Sequence, residues 1–276
     1  MKLKLAAFDL DGTLLRNDKT ISPRTHEALR RAHEAGVLLV PVTGRLFGTM
    51  PPEVRALPGL HYAITVNGAE IYDARAQRVL RAANFTRAEA GRMMDYMARL
   101  PAICGCYQDG RGWMSPKDFA RIDEFSVQPH QPEMLRMIYT PMESLREQVL
   151  SSSVPVQKLQ VYFRTVAEKE RYLAEMLAKF PDYAVSTSIP NNIEVNAPEA
   201  TKGAALLYLC RELGIPREAC AAFGDGTNDT SMILSAGIGV AMGNAAPEVL
   251  AAADLVAKTN EQDGLAETLL ELLERE

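Results

Sequence analysis

The chain is expected to fold as an α/β protein, a parallel sheet covered by helices on both faces and interrupted by an inserted second α/β domain. Three observations predict this. Short apolar runs alternate with helical patterns at both ends of the chain. The middle mixes helices with strands in which polar and apolar residues interleave. Two acidic turns, far apart in sequence, each follow an apolar run. Near-continuous apolar strands joined by helices mark parallel sheets buried on both faces, whereas alternation suits an open sheet with one covered face.

Residues 3–8 read as a buried strand. Ser22 then stands as a helix N-cap with Pro23 in the first turn, and the helix over 23–35 closes at Gly36. Val37–Val42 is the next strand, leading into Thr43-Gly44-Arg45. A third strand, 61–66, is joined to a short partner, 70–73, through Asn67-Gly68, a hairpin signal. The middle segment holds helices over 86–99 and 166–179 and strands over 134–139, 156–163 and 192–196. Gln157, Gln160 and Arg164 interleave there with apolar positions. From Thr201, a helix with the stripe Leu206, Leu209, Cys210 and Leu213 ends at Gly214. Strands at 219–223, 238–242 and 254–257 then alternate with helices near 228–236, 246–252 and 261–274. The domain expectation is a core of 1–83 with 196–276 and an insertion of 84–195.

The chain has 276 residues, 47% hydrophobic and 24% charged, enough for a large core in one or two domains. A net charge of −5 gives no general attraction to nucleic acid or to an anionic membrane, so neither is expected as a partner. No signal peptide and no run near the roughly 18 apolar residues needed to cross a bilayer are read. Cys104, Cys106, Cys210 and Cys220 match no zinc spacing and read as buried thiols in a reduced, cytoplasmic setting. His26, His33, His61 and His130 show no ligand spacing, and Met93, Met94 and Met97 read as packing. Tyr107 and Trp113 read more readily as packing residues than as a specificity surface. Oligomeric state is left open.

The chemistry lies in Asp9-Leu10-Asp11-Gly12-Thr13 and Gly224-Asp225-Gly226-Thr227-Asn228-Asp229. Two carboxylates two residues apart at a strand end repel each other unless a cation or ligand intervenes. A calcium loop would need further oxygen ligands where Leu14 and Leu15 stand, and capping aspartates alone would not explain two such turns. Hydrolysis of a phosphate monoester is among the slowest reactions known, and a carboxylate nucleophile divides it into two steps. Asp9 fits that role, Asp11 fits a general acid and base, and Asp225 adds a ligand for Mg²⁺, a cation that favours carboxylate and phosphate oxygens. Lys202, Thr43, the Gly44 N–H and the Asn228 amide would bind the transferring phosphoryl group. Gly237-Ile238-Gly239 lacks dinucleotide-loop spacing and bounds a strand.

In this order and spacing the motifs resemble those of the haloacid dehalogenase superfamily phosphatases, in the Cof-type subclass IIB. D-x-D-G-T is Asp9–Thr13, the subclass T-G-R is Thr43–Arg45, the lysine is Lys202, G-D-x-x-N-D is Gly224–Asp229, and N-G-A is Asn67–Ala69. The resemblance covers the whole chain. It implies a Rossmann-like core with the inserted domain as a cap that sets substrate specificity. It also implies Asp9 as nucleophile and Mg²⁺ ligand, and Asp11 as acid/base giving its backbone carbonyl to the metal. Thr43 and Lys202 would hold phosphate, and Asp225 with Asp229 would hold the metal. Gly12, Gly44, Arg45, Asn67 and Asn228 are the remaining phosphate or substrate candidates. The expected activity is hydrolysis of small phosphorylated metabolites, sugar phosphates first, with pyridoxal phosphate, flavin mononucleotide or other nucleotides as further possibilities. A sugar phosphomutase and a non-catalytic metabolite-binding regulator are the alternatives on the same fold.

Overall fold

A computed structural model describes residues 2–274. In chain order the elements are β1 (Leu5–Phe8), α1 (Pro23–Glu34), β2 (Leu38–Pro41), α2 (Pro52–Arg55), β3 (Tyr62–Thr65), β4 (Glu70–Asp73) and β5 (Arg78–Ala82). There follow α3 (Arg87–Met97), β6 (Ala102–Gln108), β7 (Arg111–Met114), α4 (Pro116–Phe119), α5 (Gln131–Ile138), β8 (Tyr139–Pro141), α6 (Leu145–Ser151), β9 (Val156–Phe163), α7 (Val166–Lys179), β10 (Ala184–Ser186) and β11 (Asn192–Asn196). The chain closes with α8 (Lys202–Glu212), β12 (Cys220–Gly224), α9 (Thr230–Ser235), β13 (Ile238–Ala241), α10 (Pro247–Ala252), β14 (Leu255–Val256) and α11 (Gly264–Glu274). No helix among the described residues is long and apolar enough to cross a membrane.

The chain divides into two units. Unit 1 runs to Ala82 and resumes at Thr201; unit 2 is Ala83–Ala200. Unit 1 is built on a five-stranded parallel sheet in the order β14-β13-β12-β1-β2. Its central strands β1 and β12 are buried on both faces because each face has its own apolar cover. Ala6 and Phe8 point into a core with Leu29 of α1 and Leu265 and Leu269 of α11. Leu5 and Ala7 point the other way, onto Leu206, Leu209 and Cys210 of α8. This period-2 division is what a strand between two helical layers requires. β3, β4 and β5 form a separate antiparallel sheet.

Local signals account for several ends. Ser22 Oγ accepts from Thr25 N at 3.0 Å, with Pro23 in the first turn, so α1 starts where its sequence says. Thr201 caps α8 in the same way, accepting from Ala204 N at 3.1 Å. The β3–β4 connection is a hairpin of a longer kind than a two-residue turn, since Thr65 pairs with Glu70.

Unit 2 is built on a six-stranded sheet in the order β10-β11-β9-β6-β7-β8, antiparallel except where β7 meets β8. The segment 134–139, expected as a strand, is mostly the helix α5. Pro132 in its first turn favours a helix start, and Met137 is 83% exposed while Leu135 and Tyr139, which would share its strand face, are buried, so the burial does not alternate as a strand requires. The strands β5, β6 and β7 had no sequence forecast. β6 carries Gly105, whose missing side chain makes room for the Tyr139 ring: a Cβ there would stand 2.4 Å from Tyr139 Cζ. The interleaving of β9 is also not a buried/exposed alternation, because all eight of its residues are buried.

Candidate active site

Three of the chemistry-bearing turns of unit 1 lie at the carboxyl ends of its parallel strands, the general location for ligands in such sheets. β1 leads to Asp9, β2 to Thr43, and β12 to Asp225. Because β1 lies between β12 and β2 and is in register with both, the three turns are neighbours.

The centre is a buried lysine among carboxylates. Lys202 Nζ, at the start of α8, donates to Asp9 Oδ1 at 2.6 Å and to Asp229 Oδ1 at 2.5 Å. Asp229 Oδ2 accepts from the backbone N–H groups of Asp225 and Gly226, both at 2.9 Å, so both its oxygens are engaged. Asp225 Oδ1 accepts from Thr13 Oγ1 at 2.8 Å. Oxygens of Asp9, Asp225 and Asp229 lie within 4.8 Å of one another. Gly12 makes this approach possible. Its φ is +88°, and a Cβ there would stand 2.3 Å from Asp225 Oδ2.

Burial raises the Asp9 carboxyl well above its usual range; Lys202 opposes this, and Asp229 and Asp225 add to it. Burial and then the Asp229 charge push Asp225 up to about 6. Lys202 is the reverse case: burial alone would lower it, but Asp229 and Asp9 outweigh that and raise it. The cluster therefore carries more negative charge than one ammonium balances. Three converging carboxylates with only oxygen donors suit a hard divalent cation, with Asp9 and Asp225 as the better-placed ligands because Asp229 is already occupied.

Asp11 faces a second set of partners. Arg45 Nε and Nη2 grip its carboxylate at 2.8 and 2.9 Å, and Lys19 Nζ adds a third contact at 2.8 Å. Burial would raise Asp11, but the bidentate Arg45 contact and Lys19 overcome it and hold the carboxyl at about 2. Thr43 is buried and its Oγ1 accepts from Arg45 N at 3.2 Å, with half-buried Gly44 between them. Asn67 Oδ1 accepts from Asn228 Nδ2 at 3.2 Å, which ties the β3–β4 loop to the second acidic turn. In that loop Val66, Asn67 and Gly68 all have positive φ, at 52°, 59° and 98°. Gly68 packs so closely that a Cβ would stand 2.2 Å from Thr201 O, the residue before Lys202. A β-branched residue in the left-handed region is strained, and such strain persists where the surroundings hold a side chain in place.

The residues that the sequence singles out are assembled by the fold into three adjoining groups: Asp9, Lys202, Asp225 and Asp229; Asp11, Arg45 and Thr43; Asn67 and Asn228. Three others join them without having been expected. Thr13 stood inside the quoted motif without a role. Lys19 carried no signal. Asn244, whose Nδ2 donates to Gly12 O at 2.9 Å, follows the carboxyl end of β13 and was findable by the strand-end rule.

Comparison with known proteins agrees with this geometry. Residues 6–269 match the haloacid dehalogenase-like hydrolase family. The chain is 32% identical over 97% of its length to 5-amino-6-(5-phospho-D-ribitylamino)uracil phosphatase of Bacillus subtilis, covering 94% of that protein. It is 30% identical over 97% of its length to pyridoxal phosphate phosphatase of Escherichia coli, covering 97% of it. A solved subclass IIB sugar phosphatase superposes with a TM-score of 0.81 at 25% identity, over 97% of this chain and 98% of that one. The chain belongs to the haloacid dehalogenase-like hydrolases, in their Cof-type subclass IIB. Within that family it is a phosphatase.

Proposed function

We propose that the chain is a Mg²⁺-dependent phosphatase that hydrolyses small phosphorylated metabolites through an aspartyl phosphate on Asp9. The observation that carries this reading is the Lys202 ammonium wedged between Asp9 and Asp229, beside Asp225. A lysine so held neutralises and orients one carboxylate while the remaining negative charge awaits a cation. The relatives support the substrate class, since the two enzymes just named act on a phosphorylated ribitylaminouracil and on pyridoxal phosphate and the solved neighbour is a sugar phosphatase. Sugar phosphates lead, with pyridoxal phosphate and nucleotides next.

In the first step an Asp9 carboxylate oxygen attacks phosphorus, the ester P–O bond breaks, and the leaving oxygen takes a proton from Asp11. In the second, water attacks the same phosphorus, its proton passes to Asp11, and the Asp9–phosphate bond breaks to release inorganic phosphate. Lys202 offsets charge at Asp9 in both steps. Thr43, the Gly44 and Gly12 N–H groups and Asn228 hold the phosphoryl oxygens. Arg45 and Asn67 touch the substrate. Asp9, Asp225, Asp229 and the Asp11 carbonyl would hold Mg²⁺, which supplies Lewis-acid polarisation of the phosphoryl group. The resting Asp11 is an ionised carboxylate, the form the second step needs. To act first as an acid it must leave Arg45 and Lys19 and take up a proton.

Unit 2 serves as the specificity cap. Four free thiols, three of them buried, fit a reduced cytoplasmic setting. The test is phosphate release across a broad panel of phosphorylated metabolites with and without Mg²⁺. Release that needs the metal and disappears on chelation is expected. An unchanged rate after chelation sinks the metal assignment, and no release from any substrate sinks the activity.

A further inference from the structure

The two acidic turns of unit 1 are tied together by a short loop that carries no acidic residue of its own, Gly243-Asn244-Ala245-Ala246. It follows β13, which lies beside β12; β12 in turn separates β13 from β1. From there the loop reaches the turns of both other strands. Asn244 Nδ2 donates to Gly12 O at 2.9 Å, in the turn that carries Asp9 and Asp11. Two residues later, Ala246 N donates to Asp225 O at 2.9 Å. One loop therefore holds a carbonyl of each acidic turn.

Asn244 is exposed, so water competes for its amide, and a surface amide held at one end would turn readily. This one is held at both ends. Asn260 N donates to Asn244 Oδ1 at 3.0 Å. A backbone N–H must face the oxygen of an amide, so the nitrogen is left for Gly12 O and the side chain has one orientation. Asn260 is 7% exposed, and its own Nδ2 donates to Leu15 O at 2.9 Å. Leu15 N in turn donates to Leu10 O at 2.8 Å, which closes the first acidic turn. That turn is thus gripped at Gly12 by the loop after β13 and at Leu15 by the loop after β14.

These grips matter because the turns carry like charges. Oxygens of Asp9, Asp225 and Asp229 lie within 4.8 Å of one another, and carboxylates that close push their turns apart until a cation joins them. Gly12 is the point of contact, since a Cβ there would stand 2.3 Å from Asp225 Oδ2, and Thr13 Oγ1 next to it donates to Asp225 Oδ1 at 2.8 Å. A shift of the Gly12–Thr13 peptide therefore moves Asp225 against Asp9. We propose that Asn244 is a positioning residue for the cation site: through Gly12 O it holds the first acidic turn at the spacing from the second that a divalent cation needs. The claim rests on the metal-dependent phosphatase reading and extends it to a residue outside the carboxylate cluster.

The test compares Asn244→Ala with Glu261→Ala. The second removes the acceptor of Asn17 N, a 2.6 Å bond between the neighbouring loops, and touches neither acidic turn. Calorimetric titration of the resting protein with Mg²⁺ should show binding about threefold to tenfold weaker in Asn244→Ala and unchanged in Glu261→Ala. Amide hydrogen exchange at Thr13 and Ala246, measured without metal, should be faster in Asn244→Ala alone. Unchanged Mg²⁺ affinity in Asn244→Ala overturns the proposal. So does equal weakening in both variants, which would mean a general loosening of the loops, and so does a lower melting midpoint with the affinity kept, which would leave Asn244 a structural role only. A wild type that binds no Mg²⁺ overturns the metal reading instead. The spacing claim is then decided by exchange: faster exchange at both amides in Asn244→Ala supports it, and unchanged exchange overturns it.

Discussion

Lys202 in unit 1 and Lys158 in unit 2 are both buried lysines, with side chains 0% and 1% exposed, yet their surroundings differ. Lys202 meets carboxylates from turns at the ends of different parallel strands, and Asp9, Asp225 and Asp229 together exceed its charge. Lys158 meets Glu194 across antiparallel strands and rests near the Tyr107 ring, and Glu194 also accepts from Ser188 Oγ at 2.9 Å. A parallel sheet gathers turn residues at one edge, where the backbone can point several like charges at one place. An antiparallel sheet spreads side chains over a face, where cross-strand register pairs opposite charges. The first arrangement calls for a cation and suits phosphoryl chemistry. The second pairs a buried ammonium with a buried carboxylate one to one.

The largest expected effect is at Asp9. Asp9→Asn should lower phosphate release by on the order of 10^4-fold or more while leaving the circular dichroism spectrum and melting midpoint near those of the wild type. An undiminished rate would refute the nucleophile assignment.

The two lysines allow a direct contrast. Lys202→Met strips Asp9 and Asp229 of their shared ammonium and should destabilise by roughly 3–5 kcal/mol in urea unfolding, with activity lost as well. Lys158→Met leaves Glu194 with the Ser188 hydroxyl and the Asn192 amide, and should cost about 1–3 kcal/mol. Equal losses at the two sites would erase the distinction between them. Adding Mg²⁺ should raise the melting midpoint of the wild type and not that of Asp225→Ala, because only a cation held by the unit 1 carboxylates links binding to stability.

Gly12→Ala should have a smaller, local effect. The added methyl meets Asp225 at a backbone angle that L-residues avoid, so a stability loss of about 1–2 kcal/mol should accompany a weaker response to Mg²⁺. The smallest effect is chemical. Burial pushes Cys104 and Cys106 up to about 12, with the Asp118 charge adding to the first. Alkylation of both in the native protein at pH 8 should be at least about 100-fold slower than for a free thiol, and should accelerate as pH rises and thiolate forms. Fast labelling at neutral pH would contradict that burial.

The residues of unit 1 were legible because each motif is a contiguous turn at a strand end. Asp9–Thr13 and Gly224–Asp229 carry strand, turn glycine and carboxylates within a few positions, and the pattern survives without knowing the fold. Unit 2 offered no such text. Gln160, Tyr139, Tyr162 and Glu194 come together through the register of β6, β9 and β11, and 134–139 was misread because short apolar runs do not distinguish a strand from a helix.

By itself the amino-acid sequence determined the parallel-sheet core, the two acidic turns and the family they belong to, because these depend on local periodicity and on residue types in fixed spacing. Only the tertiary structure decided that Asp11 rests on Arg45 and Lys19, that Asp229 has both oxygens engaged, and that Lys158 pairs with Glu194. Those facts depend on which side chains meet across strands and turns distant in sequence, and spacing along a chain does not encode that distance.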